Sequence, residues 1–214
     1  MNNNATRLTV IRHGETEWNT QTRFQGHLDS KLTALGIKQA EAIADGLKGE
    51  TFDIIYSSDL ERAKHTADII AGRLNMTVHT EKDLREINLG VMQGLLKDEF
   101  ILKYPEVIKN FHADPGYVIP DGESKQLFFD RITGALERIV DRYKDHSILL
   151  VAHGGVLDIM IRYTFDIPLS AKRSFSLYNA SINRFTVNNG EWKLESWGET
   201  SHIRDIPVTD DFNC

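Results

Sequence analysis

Two arginines and two histidines follow apolar runs that are typical of buried strands, and they could act on one anion. These residues are Arg12, His13, Arg62 and His153. A histidine can be a nucleophile near neutral pH, and a guanidinium offers forked donors that match phosphoryl oxygens. Gly154 follows His153 where a helix is predicted to open, and it adds a free backbone N–H. The combination predicts a pocket for a compact, multiply charged anion, most simply phosphate.

Other phosphate chemistries lack their residues in this sequence. We find no Gly-x-x-x-x-Gly-Lys-Ser loop of the kind that nucleotide hydrolases use. Clustered aspartates suited to a two-metal phosphatase are also missing from the sequence. Cys214 is the only cysteine, which excludes a cysteine-nucleophile phosphatase and a Cys-ligated zinc site. Histidine is the remaining nucleophile, and His13 stands beside the charged Arg12.

The elements that must position these residues alternate between strand and helix patterns. Apolar runs predict strands at residues 8–11, 53–56, 148–152, 182–187 and 192–197. Helical periodicity predicts helices at about residues 37–47, 60–74, 128–143 and 156–165. We therefore predict a three-layer α/β/α sandwich with a mostly parallel, mixed central sheet. Asn188-Asn189-Gly190 indicates a terminal hairpin, which supplies the antiparallel part.

The same pattern predicts how the site and the domain are organised. Ligands of open α/β sheets bind beyond the carboxyl ends of the strands, so Arg12, His13, Arg62 and His153 should meet at one sheet edge. The 214 residues are expected to form a single domain, residues 1–214. An irregular helical excursion is expected at about residues 95–119.

Charge and hydropathy exclude several classes of partner. Lysine and arginine total 25 against 31 aspartates and glutamates, a net charge of -6, and no basic cluster is present. We therefore expect no nucleic-acid partner. No apolar run approaches the ~18 residues of a membrane span, and no leader segment is evident. We expect a cytoplasmic protein whose partner is a small phosphorylated substrate. The sequence carries no signal for an oligomeric state.

The residues around His13 resemble the signature segment of the histidine phosphatase (phosphoglycerate mutase-like) superfamily, branch 1. Further family motifs match in order along the chain, from about residue 8 to residue 156. The matching segments are LTVIRHGETEWN (8–19), RFQG (23–26), SSDLERA (57–63), LRE (84–86), PDGES (120–124) and VAHGG (151–155). An isolated RHG tripeptide would be weak evidence, whereas these motifs in register are strong.

The resemblance implies a role for each matching residue. His13 would be the nucleophile that becomes phosphohistidine, while Arg12, Arg62 and His153 would hold the phosphoryl oxygens. Glu86 would protonate the leaving alcohol and then activate water.

The resemblance also implies a substrate-contacting loop and the absence of a cofactor. Asn19, Gln25 and Gly26 match that loop, and Gly154 is expected to bind phosphate. Hydrolysis would require no metal, since a loose phosphoryl-transfer transition state needs positioning and fixed positive charge. The metal-binding set is therefore predicted to be empty. 2,3-Bisphosphoglycerate would serve as a cofactor only in a mutase.

The superfamily contains hydrolases and mutases, and their catalytic residues do not separate them. The stretch between Gly94 and Pro120 is short here, whereas cofactor-dependent mutases carry an extended insertion. A short stretch favours access of water to the phosphohistidine, so we predict a phosphatase acting on small phosphomonoesters. A cofactor-dependent phosphoglycerate mutase is the first alternative. A non-catalytic module that binds a phosphorylated ligand is the second.

Four residues depart from the family pattern. Lys31 takes a place often held by proline, and the other three indicate the substrate. Val91 and Met92 stand where many members have an acidic residue and tryptophan, and Asp158 stands where many have arginine. They predict a pocket wall that is more apolar and has one cation fewer. The hypothesis is a small, partly apolar monoester, not a bisphosphate. The remaining histidines are expected on the surface: His27, His65, His79, His112, His146 and His202.

Overall fold

The computed structural model describes residues 5–205, 207 and 210, so that Cys214 lies outside the described part. The described residues form one sheet of six strands. The strands are β1 (Thr6–Arg12), β2 (Ile54–Ser58), β3 (Val78–Glu81), β4 (Ser147–Ala152), β5 (Ile182–Asn188) and β6 (Glu191–Glu199). Their order across the sheet is β3-β2-β4-β1-β5-β6.

Most neighbouring strands in this sheet run parallel. β1 and β2 each pair with β4 in parallel, and β3 pairs with β2 in parallel. β5 is antiparallel to both β1 and β6. The β5–β6 turn holds Asn189 and Gly190 at positive φ, 50° and 81°, as a two-residue hairpin of type I′ requires. The predicted hairpin is thus present, and the mixed sheet is confirmed.

Helices cover both faces of the sheet, as an α/β/α sandwich requires. The helices are α1 (Glu17–Thr20), α2 (Ala34–Gly46), α3 (Glu61–Leu74), α4 (Lys97–Lys103), α5 (Pro105–Ala113), α6 (Lys125–Arg142) and α7 (Gly154–Thr164). On one face, Ile43 of α2 and Ile70 of α3 pack with Ile11 of β1. On the other face, Ile132 of α6 and Leu157 of α7 belong to a second buried cluster. This arrangement confirms the predicted fold class.

Sequence patterning missed β3, the short edge strand. Its sequence, Val-His-Thr-Glu, has no fully buried side chain, so no apolar alternation marks it. Backbone pairing with β2 creates the strand. The α4 and α5 helices lie within the predicted excursion, where Phe100 and Phe111 are buried against the core. The extent of the single predicted domain, residues 1–214, remains a prediction. None of the helices in the described part is both long and apolar enough to cross a membrane.

Candidate active site

The two predicted site histidines leave neighbouring parallel strands at the same level. Arg12, the last residue of β1, pairs in register with Ala152, the last residue of β4. His13 and His153 follow them directly, and their ring centroids lie 5.3 Å apart. The structure therefore brings together residues that are 140 positions apart in the sequence, at the carboxyl edge where ligands of such sheets bind.

The imidazole of His13 has a defined orientation. Its Nδ1 lies 2.8 Å from the carbonyl oxygen of Gly14. A carbonyl can only accept a hydrogen bond, so Nδ1 carries the proton and the lone pair of the neutral ring lies on Nε2. The backbone of His13 is held too, because its N–H donates to the Ala152 carbonyl at 3.0 Å and its carbonyl accepts from Asn179 Nδ2 at 3.1 Å. Nε2 is thus the ring atom whose lone pair is available for nucleophilic attack.

Arg62 is buried at the start of α3, and its donors hold the loop between α1 and α2. Its Nη1 donates to the Leu28 carbonyl at 3.0 Å and to Asp29 Oδ1 at 2.7 Å, and its Nη2 donates to the Gly26 carbonyl at 2.7 Å. The Nε atom is buried without a hydrogen-bond partner among the described residues. Burial lowers the pKa of Arg62, and the charges of Asp29 and Glu86 oppose this effect. A guanidinium stays protonated in proteins, so Arg62 still carries positive charge near pH 7.

Arg12 supplies the second buried guanidinium at the end of β1. Its side chain is 2% exposed, and Nη1 donates to the Leu177 carbonyl. The backbone carbonyl of Arg12 accepts from the N–H of Ala180 at 3.1 Å. The loop before β5 therefore fixes this arginine, on the side of β1 that faces away from β4.

His153 is fully buried between these charges. Neither ring nitrogen has a hydrogen-bond partner among the described residues, which is costly for a buried polar group and marks such a group as functional. Burial holds the pKa of His153 well below 6.5, and the charges of Arg62, His13 and Arg12 lower it further. The ring is therefore neutral at pH 7 and can donate one hydrogen bond to a phosphoryl oxygen.

The carboxyl group of Glu86 is tied to the same helix opening. Its Oε2 accepts from the N–H of Gly155 at 2.9 Å, and its Oε1 accepts from the N–H of Ile87 at 2.9 Å. Burial raises the pKa of Glu86, against these two hydrogen bonds and the nearby arginines. A carboxyl that keeps its proton to higher pH than usual suits a general acid.

Sequence reasoning missed the ion pair that holds the Glu86 segment. Arg131 of α6 donates from Nη1 to the carbonyls of Asp83 and Arg85 at 2.9 and 3.0 Å, and from Nη2 to the Glu86 carbonyl at 3.2 Å. Arg131 also forms a bidentate pair with Glu123, at 2.8 and 2.7 Å. The one available signal was Glu123 itself, which lies in the matching segment 120–124.

The prediction that six histidines lie on the surface is wrong for three of them. His27, His65 and His202 are half-buried, whereas the other three are exposed. His27 Nε2 lies 2.8 Å from the Glu86 carbonyl oxygen. Burial lowers the pKa of His27, so a neutral ring that donates to this carbonyl adds a second support for the Glu86 segment.

The predicted substrate loop takes part in the site mainly through its backbone. The Gly26 carbonyl accepts from Arg62, and Gly26 has a φ of 57°, which favours glycine. Asn19 Oδ1 accepts from the N–H of Thr16 at 2.9 Å, so the side chain caps α1. Gln25 is buried in the same loop. Contact of Asn19 and Gln25 with substrate remains a prediction.

Gly154 and Gly155 form the first residues of α7, directly after His153. The N-terminus of a helix favours anions through its free N–H groups. A Cβ atom on Gly155 would lie 2.0 Å from Glu86 Oε1. Glycine is therefore required at residue 155 by the close approach of the carboxyl group.

The three departures that carried the substrate hypothesis lie partly away from the site. Met92 is 1% exposed within the buried core, so the expectation that it walls the pocket is wrong. Val91 is half-buried and packs against the same core. Asp158 accepts from Arg162 Nε at 2.8 Å. Its charge is therefore compensated within α7.

Within the described residues, no group of three or more histidine, cysteine, aspartate or glutamate side chains could hold a metal ion.

Three known proteins show what this chain is similar to. Phosphoglycerate mutase-like protein 4 of Arabidopsis thaliana is 41% identical over 203 residues, which cover 92% of this chain and 87% of the relative. The metal-independent phosphoserine phosphatase of the same plant is 38% identical over 207 residues, 94% of this chain and 85% of the relative. The mycobacterial glucosyl-3-phosphoglycerate phosphatase, solved with VO3, superposes with a TM-score of 0.80 at 30% identity. The superposition covers 91% of this chain and 99% of the phosphatase chain.

The sequence model of the histidine phosphatase superfamily (branch 1) matches residues 8–200. This range contains His13, Arg62, Glu86 and His153 at the geometry described above. The match confirms the predicted family, and the named phosphatases support an enzyme that hydrolyses small phosphomonoesters. The chain belongs to the histidine phosphatase superfamily, branch 1.

Proposed function

We propose that this protein is a metal-independent phosphatase that hydrolyses small phosphomonoesters through a phosphohistidine on His13. The observation that carries the proposal is the 2.8 Å contact between His13 Nδ1 and the Gly14 carbonyl oxygen, which assigns the ring proton to Nδ1. Nε2 therefore carries the lone pair, next to two buried guanidiniums and a neutral His153. That environment stabilises a phosphoryl group during transfer.

The first step forms a bond between His13 Nε2 and phosphorus while the bond from phosphorus to the ester oxygen breaks. Glu86, whose pKa is raised by burial so that its protonated form is favoured more than usual, donates its proton to the departing alcohol oxygen. Arg12 and Arg62 compensate the negative charge of the phosphoryl oxygens, and His153 donates to one of them. Each of these residues lies at the carboxyl edge of the sheet.

The second step returns the enzyme to its starting state. Glu86, now a carboxylate, accepts a proton from water as the water oxygen attacks phosphorus. The bond between phosphorus and His13 Nε2 breaks, and inorganic phosphate leaves. Glu86 regains its proton and His13 its lone pair, so no cofactor is consumed. One carboxyl group serves both steps because the alcohol leaves from the position that water then takes.

The relatives bear names from both activities of the family, so the choice between hydrolase and mutase is part of the proposal. The short stretch between Gly94 and Pro120, with α4 and α5 as its helices, supports hydrolysis by water. A mutase would need 2,3-bisphosphoglycerate, and we propose that this protein uses no such cofactor. We also propose that it acts in the cytoplasm on a small phosphorylated substrate.

Phosphate release from a panel of monoesters, measured in EDTA, tests this function. The panel should contain phosphoserine, 3-phosphoglycerate and p-nitrophenyl phosphate. Release without added metal, lost in His13→Ala, is the expected result. Interconversion of 2- and 3-phosphoglycerate only after addition of 2,3-bisphosphoglycerate would make the protein a mutase. Binding of phosphate without turnover in either assay would favour the non-catalytic alternative.

A further inference from the structure

The peptide bond between Gly14 and Glu15 carries the carbonyl oxygen that lies 2.8 Å from His13 Nδ1. The N–H group of the same peptide bond, that of Glu15, donates to Oε1 of Gln39 at 2.8 Å. The C=O and N–H groups of a trans peptide lie in one plane and point in opposite directions. Gln39 of α2 therefore holds this peptide on the side that faces away from the imidazole.

Gln39 is fully buried, and both ends of its amide have a partner. Its Oε1 accepts from the N–H of Glu15, and its Nε2 donates to the carbonyl of Pro207 at 2.9 Å. A backbone N–H can only donate and a carbonyl can only accept, so these two partners assign the amide oxygen and the amide nitrogen. Gln39 thus presents an acceptor to the Gly14–Glu15 peptide.

Hydrogen bonds must set the direction of this peptide, because residue 14 has no side chain. A Cβ atom at Gly14 would lie 2.5 Å from the carbonyl oxygen of Gly36, so the close approach of α2 requires glycine. Glycine leaves its backbone dihedrals freer than any other residue does. Gln39 supplies the restraint that a side chain at residue 14 would otherwise give.

The backbone on either side of this peptide is held by other residues. The N–H of Gly14 donates to Thr66 Oγ1 at 3.2 Å, and the carbonyl of Glu15 accepts from the N–H of Thr33 at 3.0 Å. Neither contact involves the N–H of Glu15, for which Gln39 is the acceptor. Loss of the Gln39 amide would therefore leave a buried donor unsatisfied, which favours rotation of the peptide toward another acceptor.

Such a rotation would reverse the tautomer of His13. In the structure a carbonyl faces Nδ1, so that Nδ1 carries the proton and Nε2 the lone pair. A peptide turned over would present its N–H to Nδ1 instead. Nδ1 would then accept, the proton of the neutral ring would lie on Nε2, and Nε2 could not attack phosphorus.

We propose that Gln39 is a positioning residue that fixes the tautomer of His13 through the Gly14–Glu15 peptide. Its amide oxygen holds the N–H of Glu15, the carbonyl of Gly14 faces Nδ1, and Nε2 keeps the lone pair. Hydrogen bonds in such a chain polarise one another, which strengthens the bond from Nδ1 to the carbonyl. The effect on catalysis rests on the proposed function, because it needs His13 to be the nucleophile, whereas the tautomer does not.

Nitrogen NMR tests the tautomer without any substrate. The ¹⁵N shifts of an imidazole distinguish a protonated ring nitrogen from an unprotonated one, and the signals lost in His13→Ala identify His13. In the wild type, at a pH well above the titration of His13, we expect protonated Nδ1 and unprotonated Nε2. Gln39→Met, which keeps the length of the side chain and removes both polar atoms, should give a mixture of the two tautomers.

Kinetics connect the tautomer to catalysis. Gln39→Met should lower kcat/KM by about tenfold or more, since the nucleophile is no longer held in one orientation. The loss should be of similar size for alkyl phosphates and p-nitrophenyl phosphate, because both are attacked by the same nitrogen. Gln39→Glu, which keeps an oxygen for the N–H of Glu15, should restore most of the wild-type tautomer and most of the activity.

Thr6 offers a matched control at the opposite end of β1. Its side chain is buried, and its Oγ1 accepts from the backbone N–H of Asp145 at 3.0 Å. Thr6→Val therefore removes a buried hydrogen bond of the same kind, from a backbone N–H to a side-chain oxygen. It should leave the tautomer of His13 and kcat/KM as in the wild type.

The outcomes separate this proposal from the proposed function. An unchanged tautomer in folded Gln39→Met would overturn the proposal even if the activity fell, and so would a mixture of tautomers in Thr6→Val. If Gln39→Met does not fold, Gln39→Asn withdraws the oxygen by one methylene and is judged by the same result. Hydrolysis that is independent of His13, with the tautomer still changed in Gln39→Met, would overturn the proposed function alone.

Discussion

Oε2 of Glu86 accepts a 2.9 Å hydrogen bond from the backbone N–H of Gly155, the second residue after His153. The carboxyl group is therefore fixed to the helix that follows the buried histidine. This contact joins two segments 69 residues apart in the chain. It explains how the proposed general acid keeps a constant position relative to the proposed phosphoryl site.

Substitution of Gly155 by alanine should displace this carboxyl group. The added Cβ would lie 2.0 Å from Glu86 Oε1 and 3.0 Å from Phe128 Cε1. Because small displacements of catalytic groups are costly, we expect kcat/KM to fall by about 10- to 100-fold. Gly134→Ala in α6 is the control, since its Cβ would meet only Arg138 Nη1 at 3.5 Å. Equal activity of Gly155→Ala and Gly134→Ala would contradict the positioning of Glu86 by residue 155.

Replacement of the proton donor Glu86 should lower kcat/KM most for esters with poor leaving groups. In Glu86→Gln, kcat/KM for alkyl phosphates should fall by about 10²- to 10³-fold. The loss for p-nitrophenyl phosphate should be about tenfold or less, because its leaving group needs little protonation. The comparison uses kcat/KM because that quantity reports formation of the phosphohistidine. A loss of the same size for both substrates would argue against Glu86 as the general acid.

Burial of neutral His153 should make the protein less stable in acid. Its folded pKa is well below 6.5, whereas the unfolded chain takes up this proton below about pH 6.5. The stabilisation is therefore present above pH 6.5 and is lost as the pH falls toward the folded pKa, by up to about 1.4 kcal/mol per pH unit. Urea unfolding at pH 7.5, 6.5 and 5.5 measures this slope.

A pair of variants isolates the share of His153 in that slope. His153→Gln should make the free energy of unfolding fall less steeply with decreasing pH, because the group that titrates only on unfolding is gone. His79→Gln, at an exposed position, should leave the slope as in the wild type. The opposite ranking of the two variants would show that His153 is not the buried neutral group.

Arg131→Lys should weaken catalysis while keeping the charge. Lysine cannot reproduce the forked donors that hold the carbonyls of Asp83, Arg85 and Glu86. We expect about a tenfold loss of kcat/KM for alkyl phosphates and a smaller loss for p-nitrophenyl phosphate. Arg138→Lys, on the exposed part of α6, should stay within about twofold of the wild type. A loss of kcat/KM that is equal for alkyl phosphates and p-nitrophenyl phosphate would indicate a purely structural role for Arg131.

The sequence alone predicted the strands and helices whose apolar residues form a clear run or recur at a regular spacing. The strands that end at Arg12, Ser58 and Ala152 are apolar runs, and their parallel pairing brings His13 and His153 together. β3 was missed because its side chains are largely exposed and only its backbone pairing with β2 defines it. Such backbone pairing leaves no periodic pattern of side chains in the sequence.

Some residues of the candidate site could be predicted from the sequence, and others could not. Strand ends indicated Arg12, His13 and His153 from their types and positions, whereas Glu86 was chosen only through the family resemblance among 31 acidic residues. The support by Arg131 and His27 depends on tertiary contacts with the backbone of Glu86. Backbone carbonyls carry no sequence signal, which is why neither residue was foreseen.

A phosphohistidine on His13 is tested by trapping the phosphorylated enzyme. Substrate labelled with ³²P would be mixed with the protein, quenched in alkali because phosphohistidine is labile in acid, and digested for mass spectrometry. We expect label on His13 that accumulates within one turnover and disappears in His13→Ala. Label on another residue, or undiminished turnover by His13→Ala, would contradict it.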